Sequence, residues 1–269
     1  MPQSAPVATP PAQLAIFTDF DGTLVELAET PDSIDVPDTL AEQLGQTARE
    51  LNLAFAVLTG REIADIDRFL APLVLPVAGA HGTQRRRADG VLEAIDPDSL
   101  EGAERVAEAL GPLIAAYPEL ILETKRGAVA VHFRQAPELE ATVHEAMQRA
   151  IEINNHFVLV PGKMVYEARP RGVSKGEALR AFMLEEPFVG RTPVFIGDDV
   201  TDEDAFIAAQ DLGGVGIKLG DGDTAARMRI ADVGSVRALL QGLGDIAARE
   251  QELVVPERGT IEPEQEMAH

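Results

Sequence analysis

The chain has 269 residues, 45% of them hydrophobic, no cysteine, and 45 acidic against 23 basic side chains, for a net charge of −22. A surface of that sign repels nucleic acid and anionic membranes and argues against both as partners, and without thiols neither disulfides nor thiolate chemistry is available. No apolar run reaches the roughly 18 residues that would suggest a membrane span, and the N-terminal MPQSAPVATPPAQ lacks the basic and apolar regions of a signal peptide, so a cytoplasmic protein is expected.

Residues 1–12, rich in Pro and Ala, read as a disordered tail. The first element is LAIFTD (14–19), a short apolar run that ends in an acid. A helical face follows with Leu40, Leu44 and Leu51, then two more apolar runs, LAFAVLTG (53–60) and LPVAGA (75–80). Continuous rather than alternating hydrophobicity fits parallel strands covered on both faces.

The middle of the chain reads differently. AERVAEALGPLIAAY places Val106, Leu110, Leu113 and Tyr117 on one side of a helix. LILETK and GAVAVHFRQ follow. In the second, Val129, Val131 and Phe133 alternate with Ala130, His132 and Arg134, the period of a half-exposed antiparallel strand. A helix over 137–153 carries Leu139, Val143, Met147 and Ile151, and HFVLVPGKMVYEAR gives two more strands about Pro161-Gly162. The order αββαββ describes a small α/β cap.

Beyond it Leu179, Phe182 and Met183 share a helical face, PVFIGDD (193–199) is a fourth buried strand, Ala205, Phe206 and Ala209 mark another helix, and VGIKLG (215–220) is a fifth strand. The acidic segment 250–269 lacks periodicity and reads as a second loose tail. The fold class is therefore α/β: a Rossmann-like parallel-sheet core over 13–98 and 169–249, interrupted by an inserted cap over 99–168.

In open α/β sheets, ligands bind beyond the carboxyl ends of the strands. Asp19, Thr59, Asp198 and Asp199 lie there. A carboxylate is a nucleophile at neutral pH without a base, and Asp19 occupies that position. Asp21, two residues on, returns to the same side and could exchange a proton with a leaving oxygen and then with water. Gly22 permits the sharp turn. Clustered carboxylates favour a divalent cation, and oxygen-only ligation with a phosphate substrate points to Mg²⁺. Thr59 could donate to phosphoryl oxygens, and Lys175, at a helix start, could neutralise phosphate and nucleophile. Each motif alone has an ordinary reading: a turn, a helix cap, a surface lysine, a solvated acidic loop. Together they form one chemically coherent set.

DFDGT (19–23), LTGRE (58–62), Lys175 and GDDVTDED (197–204) resemble the four motifs of the haloacid dehalogenase-like phosphatases, with a type II cap between the second and third. AGAHG (78–82), ETKRGAVAVHFR (123–134), GKMVYEARPRGVSKGEAL (162–179) and EEPFVGRTPVFIGDDVTDEDAF (185–206) resemble the trehalose-6-phosphate phosphatases, over roughly 14–240 in all. Gln84 departs from the Glu that many relatives have.

The resemblance implies that Asp19 is the nucleophile, Asp21 the acid/base, and that Thr59 and Lys175 hold the phosphoryl group. Asp19, Asp21 (through its carbonyl) and Asp198 would bind Mg²⁺, supported by Asp199 and Asp202. Gly60, Arg61, His81, Lys125, His132, Arg134, Lys163 and Glu167 would contact the sugar phosphate. The expected activity is hydrolysis of trehalose 6-phosphate, with a possible functional link to a trehalose-6-phosphate synthase. Alternatives are a phosphatase for sucrose phosphate or mannosyl phosphoglycerate, a phosphomutase on the same core, and a silent partner of a sugar-phosphate synthase.

Overall fold

A computed structural model describes residues 10–28, 33–152 and 156–254. Seven strands build the larger sheet: β1 (Leu14–Thr18), β2 (Phe55–Leu58), β3 (Val77–Gly79), β4 (Gln84–Arg86), β9 (Thr192–Gly197), β10 (Val215–Leu219) and β11 (Met228–Ile230), in the order β11-β10-β9-β1-β2-β3-β4. All neighbours are parallel except β3 and β4. The five expected strands are all present.

The outer strands β4 and β11 were not anticipated, for a physical reason. Each has three residues, and Gln84-Arg85-Arg86 carries no apolar side chain, while Met228 and Arg229 lie exposed at the sheet edge.

The five inner strands are predominantly apolar because both of their faces are covered. Ile16, Val57 and Ile196 pack under α1 (Leu40–Glu50), α2 (Ile63–Leu70) and α7 (Val233–Val254). Ala15, Phe17, Leu58 and Phe195 pack under α5 (Lys175–Phe182) and α6 (Glu203–Asp211). Phe17 stacks on Phe188 at 5.2 Å between ring centroids. Truncating such a fully buried ring costs about 3–5 kcal/mol.

The second sheet has four antiparallel strands in the order β5-β6-β8-β7: β5 (Ile121–Lys125), β6 (Ala128–His132), β7 (Phe157–Gly162) and β8 (Val165–Pro170). With α3 (Pro97–Ala116) and α4 (Glu140–Glu152) it realises the αββαββ order. Val129, Val131 and Phe133 turn toward these helices and join Val106, Leu110, Val143 and Met147 in one core. Register places Glu123, Ala130 and Glu167 side by side on the opposite face. A separate antiparallel sheet inserted between β4 and α5 is the expected cap.

Boundaries differ from expectation at the cap, whose α3 starts at Pro97 and whose β8 runs to Pro170 rather than 99 and 168, and at both tails. Pro11–Gln13 form a short 3-10 turn, so the N-terminal tail is structured from there; its residues 1–9 lie outside the described residues. The last helix, α7, runs on to Val254, past the point where a loose tail was expected at 250, and 255–269 lie outside the described residues.

Candidate active site

From β1 the chain moves to β2 on one side and, after the cap, to β9 on the other. The crevice at this reversal of strand order is where such sheets bind ligands. Asp19 stands just past β1, Asp198 just past β9, and Thr59 just past β2. The Asp19 N–H donates to the Ile196 carbonyl at 2.8 Å, tying the first two strand ends together. Gly22 has φ +77, and a Cβ there would overlap the Asp198 carboxylate. The turn after Asp21 thus needs glycine both for its backbone and for the acid that packs against it.

Lys175 opens α5, whose start is fixed by Ser174 accepting the Glu177 N–H at 3.2 Å. Its Nζ donates to Asp19 Oδ1 at 2.7 Å and to Asp202 Oδ1 at 2.6 Å. The other Asp202 oxygen accepts the backbone N–H groups of Asp198 and Asp199, both at 3.0 Å. Lys175 is 1% exposed, Asp202 0% and Asp19 5%, so these charges sit in the protein interior.

The electrostatics follow from burial and from the charge count. Burial would lower the Lys175 pKa, but the charges of Asp19 and Asp202 overcome it and hold the ammonium well above its ordinary range. Burial pushes the Asp19 carboxyl well up; Lys175 opposes this, while Asp202 and Asp198 add to it. Burial and then Asp202 push Asp198 up to about 6.

Asp19, Asp198 and Asp202 have ligand oxygens within 4.8 Å of one another. Three buried or half-buried carboxylates thus share the Lys175 charge, with Lys218 acting on Asp198 alone. The cluster offers only hard oxygen donors, which fits Mg²⁺. The other two expected ligands have committed carboxylates: Asp21 accepts from Arg61 Nε and Nη2, both at 2.7 Å, and Asp199 caps the turn Val200–Asp202. For Asp21 the expectation concerns only the backbone carbonyl, which these bonds leave untouched.

Arg61 lies two residues beyond Thr59, and its N–H donates to Thr59 Oγ1 at 3.1 Å. Gly60 leaves space for His81, since a Cβ there would stand 2.6 Å from His81 Nε2. His81 follows β3 on left-handed backbone, φ 54, and reaches the cap: its Nε2 lies 3.2 Å from Glu167 Oε2. Lys125 Nζ approaches the same oxygen at 3.4 Å. Burial would raise the Glu167 pKa, but His81 and then Lys125 hold it well below the usual carboxylate range. Alongside, His132 Nε2 pairs with Glu123 Oε2 at 2.8 Å.

His81, Lys125 and Glu167 therefore converge at the core–cap boundary. Glu167 Oε1 and His81 Nδ1 are buried and have no hydrogen-bond partner. His132 joins the network through Glu123, whereas Arg134 and Lys163 are exposed and, among the described residues, stand outside it.

Several polar residues of the site were missed. Thr23 Oγ1 donates to Asp198 Oδ1 at 3.3 Å; the DFDGT motif contained that signal. Lys218, 5% exposed on β10, donates to the Asp198 carbonyl; a lone lysine inside VGIKLG was the available sign. Arg169 on the cap and Asp204 on α6 approach at 4.0 Å across the same boundary, which no sequence pattern marked.

Comparison with known proteins agrees with this geometry. Residues 17–232 match the family model described as trehalose-phosphatase. The trehalose-6-phosphate phosphatase of Escherichia coli K12 is 42% identical over 231 residues, 86% of each chain. The probable trehalose-phosphate phosphatase of Sinorhizobium fredii is 39% identical over 208 residues, 77% of each. Among solved structures, a trehalose-6-phosphate phosphatase related protein is 28% identical with a TM-score of 0.74, covering 88% of this chain and 99% of its own. A haloacid dehalogenase-like hydrolase from B. subtilis, 18% identical with a TM-score of 0.58 over 85% of this chain and 99% of its own, shares the fold. With its motifs gathered at the strand ends and a family match across both sheets, the chain belongs to the trehalose-phosphatase family.

Proposed function

We propose that the protein is a Mg²⁺-dependent phosphatase that hydrolyses trehalose 6-phosphate through an aspartyl-phosphate on Asp19. The observation that carries the chemistry is the buried cluster of Asp19, Lys175, Asp202 and Asp198 at the strand-order reversal.

Asp19 attacks phosphorus and the ester P–O bond to the sugar breaks. Lys175 fixes one Asp19 oxygen, which leaves the other to form the bond. Asp21 delivers a proton to the departing sugar oxygen, then takes one from the water that attacks the acyl phosphate. Both Asp21 oxygens accept from Arg61 in this structure, so proton delivery requires the guanidinium to shift toward the phosphoryl oxygens. Thr59 Oγ1 already accepts from Arg61 N–H, and its own O–H remains to donate to a phosphoryl oxygen. Mg²⁺, held by Asp19, Asp198 and the Asp21 carbonyl, would screen the negative charge of the transferring group; Asp199 and Asp202 would orient these parts from behind.

The cap supplies the sugar reader. Glu167 Oε1 and His81 Nδ1 are buried without partners, and the hydroxyls of a disaccharide can satisfy both a carboxylate and an imidazole. Lys125 holds Glu167 and His132 holds the neighbouring Glu123, while Arg134 and Lys163 contribute positive charge at the exposed cap edge.

Because a phosphorylated disaccharide is made by glycosyl transfer onto a sugar phosphate, a functional link to a trehalose-6-phosphate synthase is part of the proposal, as is a cytoplasmic setting. Among the described residues no helix is long and apolar enough to cross a membrane. The mechanism is tested by rapid acid-quenching of the wild-type protein during turnover of trehalose 6-phosphate. One phosphoryl group should then be found by mass spectrometry on the peptide carrying Asp19. A phosphoryl group on another residue, or none with turnover retained, would refute the covalent route.

A further inference from the structure

Gln84 is a nearly buried amide with specific surroundings, 8% exposed on β4. Its Oε1 accepts the N–H of Ile63, the first residue of α2, at 3.0 Å, and its Nε2 donates to Glu62 Oε1 at 2.9 Å. The amide orientation is fixed by chemistry: a backbone N–H can only donate, and an ionised carboxylate can only accept. The same Glu62 oxygen accepts a second donor, the backbone N–H of Arg126, at 3.1 Å.

Arg126 lies in the cap, in the two-residue turn between β5 and β6. The next residue, Gly127, packs on the core as well: a Cβ there would stand 2.7 Å from Thr83 Cγ2. One relay therefore runs from the start of α2 through Gln84 and Glu62 to the tip of a cap hairpin. It begins beside Arg61, which grips Asp21, and ends beside Lys125, which grips Glu167.

We propose that Gln84 is a positioning residue that latches the cap on the core: its amide lets an ionised Glu62 capture the Arg126 N–H. A carboxylate at position 84 would still accept the Ile63 N–H but would have nothing to donate. It would set two carboxylates at hydrogen-bond distance, which repel unless they share a proton. The inference deepens the proposed function and rests on it only where the sugar phosphate is concerned; the latch itself is measurable without substrate.

Four substrate-free proteins are compared by amide hydrogen exchange at Arg126: wild type, Q84E, E62Q and the double variant. Q84E should speed exchange by about tenfold, the scale on which a lost charge-assisted hydrogen bond reads. E62Q should stay within about threefold, because the amide oxygen introduced at position 62 can still accept from both donors. The double variant E62Q/Q84E should recover part of the loss, since the amide at position 62 can turn its nitrogen to the carboxylate at position 84 and its oxygen to Arg126. A general loss of structure would not be reversed by the second change. Unchanged exchange in Q84E, or a double variant no better than Q84E, would overturn the latch.

If Q84E fails to fold, Arg126→Pro removes the N–H from the cap side alone. Gly127 has φ +87, the geometry of a type II turn, in which proline is favoured at the preceding position. R126P should raise KM for trehalose 6-phosphate severalfold and leave turnover of a small aryl phosphate unchanged. An unaltered KM would contradict the proposal, whereas a wild-type protein inactive on trehalose 6-phosphate would defeat the functional reading and leave the exchange result standing.

Discussion

Replacing Lys175 by Met keeps most of the side chain's bulk and removes its charge. Its ammonium touches Asp19 at 2.7 Å and Asp202 at 2.6 Å, and all three groups lie in the interior. The variant leaves two buried carboxylates without their cation. Breaking a buried ion pair by removing one partner costs about 3–5 kcal/mol. For a domain of this size each kcal/mol shifts the midpoint by about 2–4 °C, so melting should fall by about 6–20 °C.

The sign of the pH dependence can be worked out. Lys175 is held above its ordinary pKa of 10.5, so its contribution is complete below that value and is lost only as pH rises past it. Asp19 is held above 3.8 even in the wild type and rises further without the lysine, so the variant regains stability as pH falls through that raised value. Mg²⁺ should restore part of the deficit, because a cation bound only by the folded state stabilises it, by about 2.7 kcal/mol at a hundredfold excess over Kd. The assay is calorimetric melting at two pH values, with and without Mg²⁺, beside phosphate release, which should fall by several orders of magnitude. A midpoint within about 2 °C of wild type, or a deficit indifferent to both pH and Mg²⁺, would refute the argument.

Other outcomes follow from the same geometry. Asp19→Asn should lower turnover by several orders of magnitude while the fold is retained, since Asp202 still pairs with Lys175, measured by phosphate release and calorimetry. Chelation should silence the protein and Mg²⁺ restore it. Because Asp198 is raised to about 6, Mg²⁺ must displace a proton below that pH, and titration calorimetry should show affinity falling by about tenfold per pH unit there. Glu167→Ala should lower kcat/KM for trehalose 6-phosphate by about tenfold to a hundredfold. The ratio of trehalose 6-phosphate to aryl phosphate turnover should fall with it, and equal losses on both would remove Glu167 from sugar recognition.

Most of the core was legible because its strands are covered on both faces, which makes runs such as LAIFTD and PVFIGDD unmistakable. The cap was legible from alternation: Val129, Val131 and Phe133 do share one face, and it packs on the cap helices. Gln84–Arg86 and Met228–Ile230 were hidden because three-residue edge strands carry no period. Asp19, Lys175 and Asp198 were legible as chemistry, since their motifs end strands or begin a helix.

What the sequence withheld was pairing across the fold. That Arg61 grips Asp21, that His81 reaches Glu167, and that Lys218 holds the Asp198 carbonyl each depends on loops meeting far from their place in the chain. Gln84 was visible only as a departure. Its meaning required Glu62 and Arg126 beside it.

The central claim is tested most directly by phosphate release from trehalose 6-phosphate by the purified protein with Mg²⁺, set beside sucrose 6-phosphate, mannosyl phosphoglycerate and glucose 6-phosphate. Rapid release from trehalose 6-phosphate, with kcat/KM well above that for the other three, is the predicted result. Preference for another of these esters, transfer of the phosphoryl group to a second sugar position without release, or no turnover at all would contradict it.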